Sequence, residues 1–264
     1  MNGHEKSFIM NAAKVIKTSF KDHFSSISKN YHIHRPDYPD NLFSYLNSQV
    51  SQHDVAWDCA TGNGQCALKL STFFSKIIAS DASTQQIKQS SHADNINYIV
   101  ATAEYVPIRA NCADLITVAQ ALHWFDIEAF TKEAARILNS EGVLAVWSYN
   151  LLNINPDVDT VINQLDKNIL KNYWPPERGL VENQYATIHM PFTELTTKPF
   201  QMEVEWSLGQ LIGYLNTWSS VEAYKKQNRS NPLDLIKHPL LKAWGMENTI
   251  QSIRWPITMK LWRK

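Results

Sequence analysis

What the 264-residue sequence lacks narrows its function classes before any motif is read. Net charge is absent: 25 Lys and Arg balance 25 Asp and Glu, so no global field draws the chain to nucleic acid or to an acidic membrane. A disulfide framework is missing too. The three cysteines, Cys59, Cys66 and Cys112, form neither a Cys-x-x-Cys pair nor an even set, and such cysteines read as small buried hydrophobes. That usage fits a reducing compartment and a cytoplasmic location. No apolar run reaches the length of a membrane span, and near the amino terminus only Phe8-Ile9-Met10 is continuously apolar. His32 and His34 have no His-x-x-x-His, Cys-x-x-Cys or paired-carboxylate spacing around them, so no metal is expected. Internal repeats and low-complexity tracts are also lacking. The length suffices for one large α/β domain or two small ones, and 44% hydrophobic residues support a buried core.

What is present is organised around Val55-Ala56-Trp57-Asp58-Cys59-Ala60-Thr61-Gly62-Asn63-Gly64-Gln65. It reads as an apolar strand ending in an acid, a tight small-residue turn, and then a helix. A short helix is expected over 5–20, and a polar, aromatic-rich stretch over 20–39 is broken by Pro36 and Pro39. Leu42, Phe43, Leu46 and Val50 fall at helical spacing. Beyond the turn the pattern alternates. Strands are expected over 55–58, 76–80, 97–101, 115–119 and 143–149, and helices after the turn to about 74, over 84–91 and over 126–138. Alternation of this kind predicts a mostly parallel sheet with helices on both faces and ligands beyond the carboxyl ends of its strands. The run Asp157, Val158, Val161, Ile162, Leu165, Ile169 and Leu170 is helix-spaced, and Tyr173-Trp174-Pro175-Pro176 marks a boundary. Strand alternation returns over 200–206 and 257–262, around an apolar helix over 208–218, and these late strands can complete the same sheet.

Gly62 and Gly64 leave no side chain between backbone and ligand, and a following helix offers unpaired N–H groups. The same residues satisfy the Gly-x-Gly-x-x-Ala pattern of dinucleotide folds, so the turn alone leaves two cofactor classes open. Asp81 closes the next strand about 20 residues on, where a carboxylate can accept hydrogen bonds from a ribose diol. Its alternative role is to cap the following helix, as Ser83 also could. Asp58 separates the two classes. An acid just before the turn suits a ligand bearing an ammonium group and repels a pyrophosphate.

These residues carry a family resemblance. Asp58-Cys-Ala60-Thr-Gly62-Asn-Gly64 resembles motif I of class I S-adenosylmethionine-dependent methyltransferases, with Asp81 as the ribose acid. Ala101-Thr-Ala103-Glu104-Tyr-Val-Pro-Ile108 resembles the segment beside the adenine. Ala113-Asp-Leu-Ile-Thr-Val-Ala-Gln120-Ala121-Leu-His123-Trp124-Phe125 is similar to the fourth strand and methyl-transfer loop of the trans-aconitate methyltransferase-like (methyltransferase type 11) branch. That branch also has Tyr-x-x-x-Arg-Pro-x-Tyr-Pro near its start, here Tyr31, Arg35-Pro36 and Tyr38-Pro39. Echoes of its carboxyl half occur at Tyr185-Ala-Thr-Ile-His-Met-Pro191-Phe192 and Gln210-Leu-Ile-Gly-Tyr214-Leu-Asn-Thr-Trp218. One departure is Ala60, where the family usually has glycine; alanine is tolerable there if φ stays negative.

The resemblance implies a Rossmann-like class I fold: a mostly parallel seven-stranded sheet with an antiparallel last strand, an N-terminal lid and a C-terminal insertion. Residues 1–264 would form one domain, with lid and lead-in helix over 1–50, cofactor core over 51–150, insertion over 151–199 and sheet completion over 200–264. It implies S-adenosyl-L-methionine as cofactor, held by Tyr31, Arg35, Asp58, Ala60, Thr61, Gly62, Gly64, Gln65, Asp81, Ala82, Ala103, Glu104, Gln120 and Ala121. His123 and Trp124 are the expected catalytic residues. The implied reaction is O-methylation of a small carboxylic acid of the trans-aconitate kind. A carboxylate with a reference pKa near 4 needs no base. For a hydroxyl or amine acceptor, His123 would be the general base; for a carboxylate it would donate a hydrogen bond or shape the wall, and plain packing is its third reading. Arg35 and Arg178 either hold a carboxylate or form structural ion pairs. Trp124 and Tyr31 offer ring faces to the sulfonium or adenine, or simply pack. Trp206, Trp218, Trp244, Trp255 and Trp262 read as core or cap, with one or two able to line an acceptor pocket. The alternatives are another small-molecule, RNA or protein acceptor, a cofactor-binding module without catalysis, and an NAD(P)-dependent oxidoreductase. Neutral charge and the lack of an Asn/Asp-Pro-Pro-aromatic motif after Val118 oppose base or amide nitrogen methylation, and Asp58 opposes the oxidoreductase.

Overall fold

A computed structural model describes residues 35–246 and 248–264. The expected helix over 5–20, together with Tyr31, His32 and His34, lies outside them. Among the described residues, eight strands form one sheet in the order β3-β2-β1-β4-β5-β8-β6, with β7 also on β8. The parallel part comprises β1 (Val55–Cys59), β2 (Lys76–Asp81), β3 (Ile96–Val100), β4 (Ala113–Ala119) and β5 (Leu138–Tyr149). These strands read as nearly continuous apolar runs because helices cover both their faces. Alternate residues of β1 serve opposite faces: Ala56 packs into one core cluster and Trp57 into the other.

Strand β8 (Gln251–Arg263) runs antiparallel to β5, pairing Val143 with Arg263 and Tyr149 with Ile257. Its other edge is shared by β6 (Thr193–Leu195) and β7 (Phe200–Trp206), which lie end to end along it. The expected seven strands thus become eight because Pro199, which has no N–H to donate, falls between two pieces of one edge.

One sheet face is covered by α1 (Asp40–Gln49), which buries Leu42, Phe43 and Leu46, and by α2 (Gln65–Leu70). After α3 (Thr84–Lys88), α4 (Ile127–Ile137) packs Phe130 and Ala134 on the opposite face, capped by Asp126, whose carboxylate accepts from the N–H of Ala129. Two hydrogen-bonding side chains fasten the loop before β4 to α4. Glu133 accepts from the N–H of Val106 at 3.0 Å, and Arg136 donates to the Ile108 carbonyl at 2.7 Å.

Past β5 the helix-spaced run is α5 (Pro156–Gln164), continued by a widened π turn over Leu165–Ile169 rather than by regular helix. That turn brings Asp166 inside, 3% exposed. Short α6 (Arg178–Glu182) follows; α7 (Leu208–Asn216), α8 (Ser219–Asn228) and α9 (Lys237–Trp244) pack the carboxyl half. Helices α6, α8 and α9 are additions to the sequence reading; α6 is short and α8 buries only Ser220 and Val221. The five late tryptophans are all buried. No helix among the described residues is long and apolar enough to cross a membrane.

Candidate active site

The turn after β1 follows from the conformational freedom of its small residues. Gly62 has φ +57 and Gly64 +84; a Cβ on Gly64 would run into the Tyr98 hydroxyl, whereas one on Gly62 would meet nothing within 4 Å. Gly62 therefore faces open space, as a backbone cradle for a polar ligand should. Asp81 stands beside it. Its Oδ2 accepts from the N–H of Gly62 at 2.9 Å and its Oδ1 from the N–H of Ser83 at 2.8 Å. The cap of α3 is Ser83, which accepts from Gln86, so Asp81 is not the capping residue. Ala82 follows, half-buried.

One expectation at the turn needs correction, and two other residues there have partners within the fold. Ala60 has φ +55, in the left-handed region, not a negative φ. That conformation costs an L-residue about 1–2 kcal/mol, and the next residue, Thr61, donates its N–H to the Ser80 carbonyl at 2.9 Å. Asp58 is 1% exposed, with its oxygens taken up by the hydroxyls of Thr61 and Thr117. Burial raises its pKa, and those two hydrogen bonds oppose the rise. It ties the turn to β4. Gln65 turns its amide to Asp37, tying the lead-in segment to the start of α2, where Lys69 also pairs with Asp40 at 2.5 Å.

Around the turn, Ala103 is buried in the core, and Glu104 accepts from the N–H of Asp126 at 3.1 Å. At the end of β4, Gln120 is a second left-handed residue, φ +54. Its side-chain amide bonds the main chain of Tyr149 at both ends, with Nε2 donating to the carbonyl at 2.9 Å and Oε1 accepting from the N–H at 3.3 Å. Strained residues of this kind cluster at functional sites, and here they end β1 and β4, the neighbouring central strands. Ala121 is buried, and a 3₁₀ turn over Leu122–Trp124 carries His123 and Trp124 into view of a cavity.

The cavity of about 130 Å³ lies at the carboxyl ends of β4 and β5, lined among others by Arg35, Gln120, His123, Trp124, Tyr149 and Trp218. Trp174 and Arg178 from the insertion and Tyr214 from α7 complete it. Arg35 donates to the Tyr149 hydroxyl at 2.8 Å, with its guanidinium 5.0 Å from the Tyr214 ring centre. Arg178 is an ion-pair residue. It meets Asp166 and Glu182, each at 3.0 Å, and lies 3.6 Å from the Trp174 ring centre. His123 Nδ1 is 2.9 Å from the Tyr185 hydroxyl. Burial, aided by Arg178, lowers the His123 pKa to about 4 against an opposing pull from Glu177, so the ring is neutral near pH 7.

The structure thus separates the expected residues into two groups. Gly62, Asp81 and Ala82 frame the turn, while Arg35, Gln120, His123 and Trp124 line the cavity. Sequence reasoning left no role for Tyr149, Asp166, Tyr185 or Tyr214. The last two lie within segments singled out by resemblance, and Asp166 carries no signal, because only the π turn aims it inward.

Residues 57–146 match the family model described as methyltransferase domain. A Dictyostelium discoideum protein named as a methyltransferase is 34% identical, over 94% of this chain and 97% of its own length. A Saccharomyces cerevisiae protein named as an S-adenosylmethionine-dependent methyltransferase is 23% identical, over 90% of this chain and 95% of its own. The solved structure of an Anaeromyxobacter dehalogenans protein, named as a type II methyltransferase, superposes with a TM-score of 0.82 at 36% identity, covering 87% of this chain and 97% of that one. These relatives remove the dinucleotide oxidoreductase reading left open by the glycine turn. By its sheet, its glycine turn and these similarities, the chain belongs to the class I methyltransferases, which use S-adenosylmethionine.

Proposed function

We propose that this methyltransferase transfers the methyl group to a carboxylate oxygen of a small acid of the di- or tricarboxylate kind. The observation that carries this reading is the state of His123. It is the ionisable side chain on the methyl-transfer loop, it is neutral, and its Nδ1 is engaged by a phenol. A base for deprotonating a hydroxyl or ammonium acceptor works best with a pKa near the working pH. A group held near 4 is poorly suited to that task, and a carboxylate acceptor does not require it.

S-adenosylmethionine supplies a methyl group already activated on a sulfonium. What the protein adds is orientation, which in favourable cases accounts for about 7–11 kcal/mol of barrier lowering. The open backbone at Gly62 and the adjoining Asp81 carboxylate fit the polar parts of such a cofactor. We assign Asp81 to its ribose, the backbone of 60–65 to its amino-acid end, and Ala82, Ala103, Glu104, Gln120 and Ala121 to the walls around it. Asp58 acts through the shape of the turn. Arg35 is assigned to a carboxylate, since it faces the cavity while Asp37, two residues on, holds Gln65 at the turn. Arg178, compensated by Asp166 and Glu182, fixes the wall through Trp174. Trp124 and Trp218 exclude water. The small cavity favours a metabolite-sized acceptor over RNA or protein, and we read residues 1–264 as one catalytic domain, acting in the cytoplasm.

A panel of mono-, di- and tricarboxylic acids, assayed for S-adenosylhomocysteine release with mass detection of the product, tests the reading. Turnover with at least one di- or tricarboxylate, and a product heavier by one methyl group, is the expected result. Turnover confined to phenols, amines or macromolecules would refute it.

A further inference from the structure

We propose that Tyr185 is a positioning residue that fixes His123 as the Nε2–H tautomer, so that the histidine meets the acceptor as a hydrogen-bond donor. The inference rests on the reading of the cavity as the acceptor site, and it adds which atom does the recognising.

The backbone supplies the first argument. Gln184 and Tyr185 are consecutive left-handed residues, φ +55 and +53, at the end of α6. The Tyr185 N–H donates to the Leu180 carbonyl at 2.8 Å, and that of Gln184 to Val181 at 2.9 Å. This is the helix-ending conformation that glycine ordinarily supplies. A glycine here would relieve strain but would carry no phenol. Tyr185 instead reaches inward, 1% exposed, and lies nearly parallel to the His123 ring at an interplanar angle of 22°.

Burial raises the phenol's pKa, so it keeps its proton and must direct it to an acceptor. Among the described residues, the hydrogen-bond partner of this buried hydroxyl is His123 Nδ1, 2.9 Å away. A proton on Nδ1 would leave the buried phenol O–H without an acceptor, a costly arrangement, so that O–H is directed at Nδ1. A neutral imidazole that accepts at Nδ1 carries its proton at Nε2. Since His123 lines the cavity, its N–H is offered to the acceptor. An acid's non-attacking carboxylate oxygen can take that bond, whereas an ammonium cannot.

Long-range ¹H–¹⁵N spectra of histidine-labelled protein at pH 7, with His123 identified by loss of its signals in His123→Gln, read the tautomer directly. The expected spectrum shows protonated Nε2 and bare Nδ1, and Tyr185→Phe moves it toward a mixture of tautomers. Tyr185→Phe should also raise KM for the acceptor roughly 3- to 10-fold, the range for one hydrogen bond, with S-adenosylhomocysteine affinity unchanged. If Tyr185→Phe does not fold, the tautomer of the unmodified protein decides alone, with bare Nδ1 the expected result. A proton on Nδ1 in the unmodified protein, or a spectrum untouched by Tyr185→Phe, overturns the proposal. A failed acid panel with the expected tautomer would instead overturn the carboxylate reading and leave the role of Tyr185 standing.

Discussion

Asp81 and Gly62 are joined by a hydrogen bond of 2.9 Å from the glycine N–H to the aspartate Oδ2, across the gap between β2 and the turn after β1. The carboxylate assigned to the ribose is therefore also a brace of the backbone cradle. Asp81→Ala should weaken S-adenosylhomocysteine binding by about 1.5–3 kcal/mol, the range for hydrogen bonds to a charged group. Titration calorimetry measures this, and an unchanged affinity would remove Asp81 from the cofactor site.

Ala60 is strained where a glycine would not be. Ala60→Gly relieves the left-handed penalty but gives the unfolded chain more freedom, so the expected net gain is about 0.5–1 kcal/mol. In a chain of this size that corresponds to a rise in melting temperature of a few degrees at most. A fall in melting temperature would show that the backbone at Ala60 is not left-handed in solution.

Arg178 compensates a carboxylate at Asp166 that is 3% exposed. Arg178→Ala leaves that charge buried, and a loss of about 3 kcal/mol is expected from breaking such a pair. Burial already raises the Asp166 pKa, and losing Arg178 raises it further. A raised carboxyl pKa makes the folded state bind more protons than the unfolded one. The variant's stability should therefore decline as pH rises through the folded pKa. Denaturant melts at several pH values check this, and a deficit independent of pH would contradict it.

His123 gives the opposite sign. Its folded pKa is about 4 against an ordinary 6.5, chiefly through burial. Below 6.5 the unfolded chain takes up a proton that the folded chain refuses, so this contribution to stability is complete above 6.5 and is lost as pH falls toward 4. For catalysis, kcat/KM should show no step between about pH 6 and 8 attributable to His123. A step near 6.5 that vanishes in His123→Gln would make it a working base.

Much of this was legible in the sequence because parallel strands are buried on both faces and so read as apolar runs. Asp58 stands one residue before the end of β1, Gly62 and Gly64 announce the turn, and Asp81 falls at the ribose distance. Other features are set by contacts distant in sequence. The left-handed φ of Ala60 accompanies a bond from Thr61 to Ser80 on another strand, Asp58 is held inward by Thr117, and the commitment of Arg178 depends on a π turn at Asp166. The link from His123 to Tyr185 crosses a 62-residue separation and needs two left-handed residues that no propensity favours.

The measurement closest to the central claim is the fate of the methyl group itself. With methyl-deuterated S-adenosylmethionine and an accepted acid, the label should appear in a methyl ester that alkali hydrolyses to labelled methanol and the original acid. Label in an alkali-stable ether, or on nitrogen or carbon, would contradict transfer to a carboxylate oxygen.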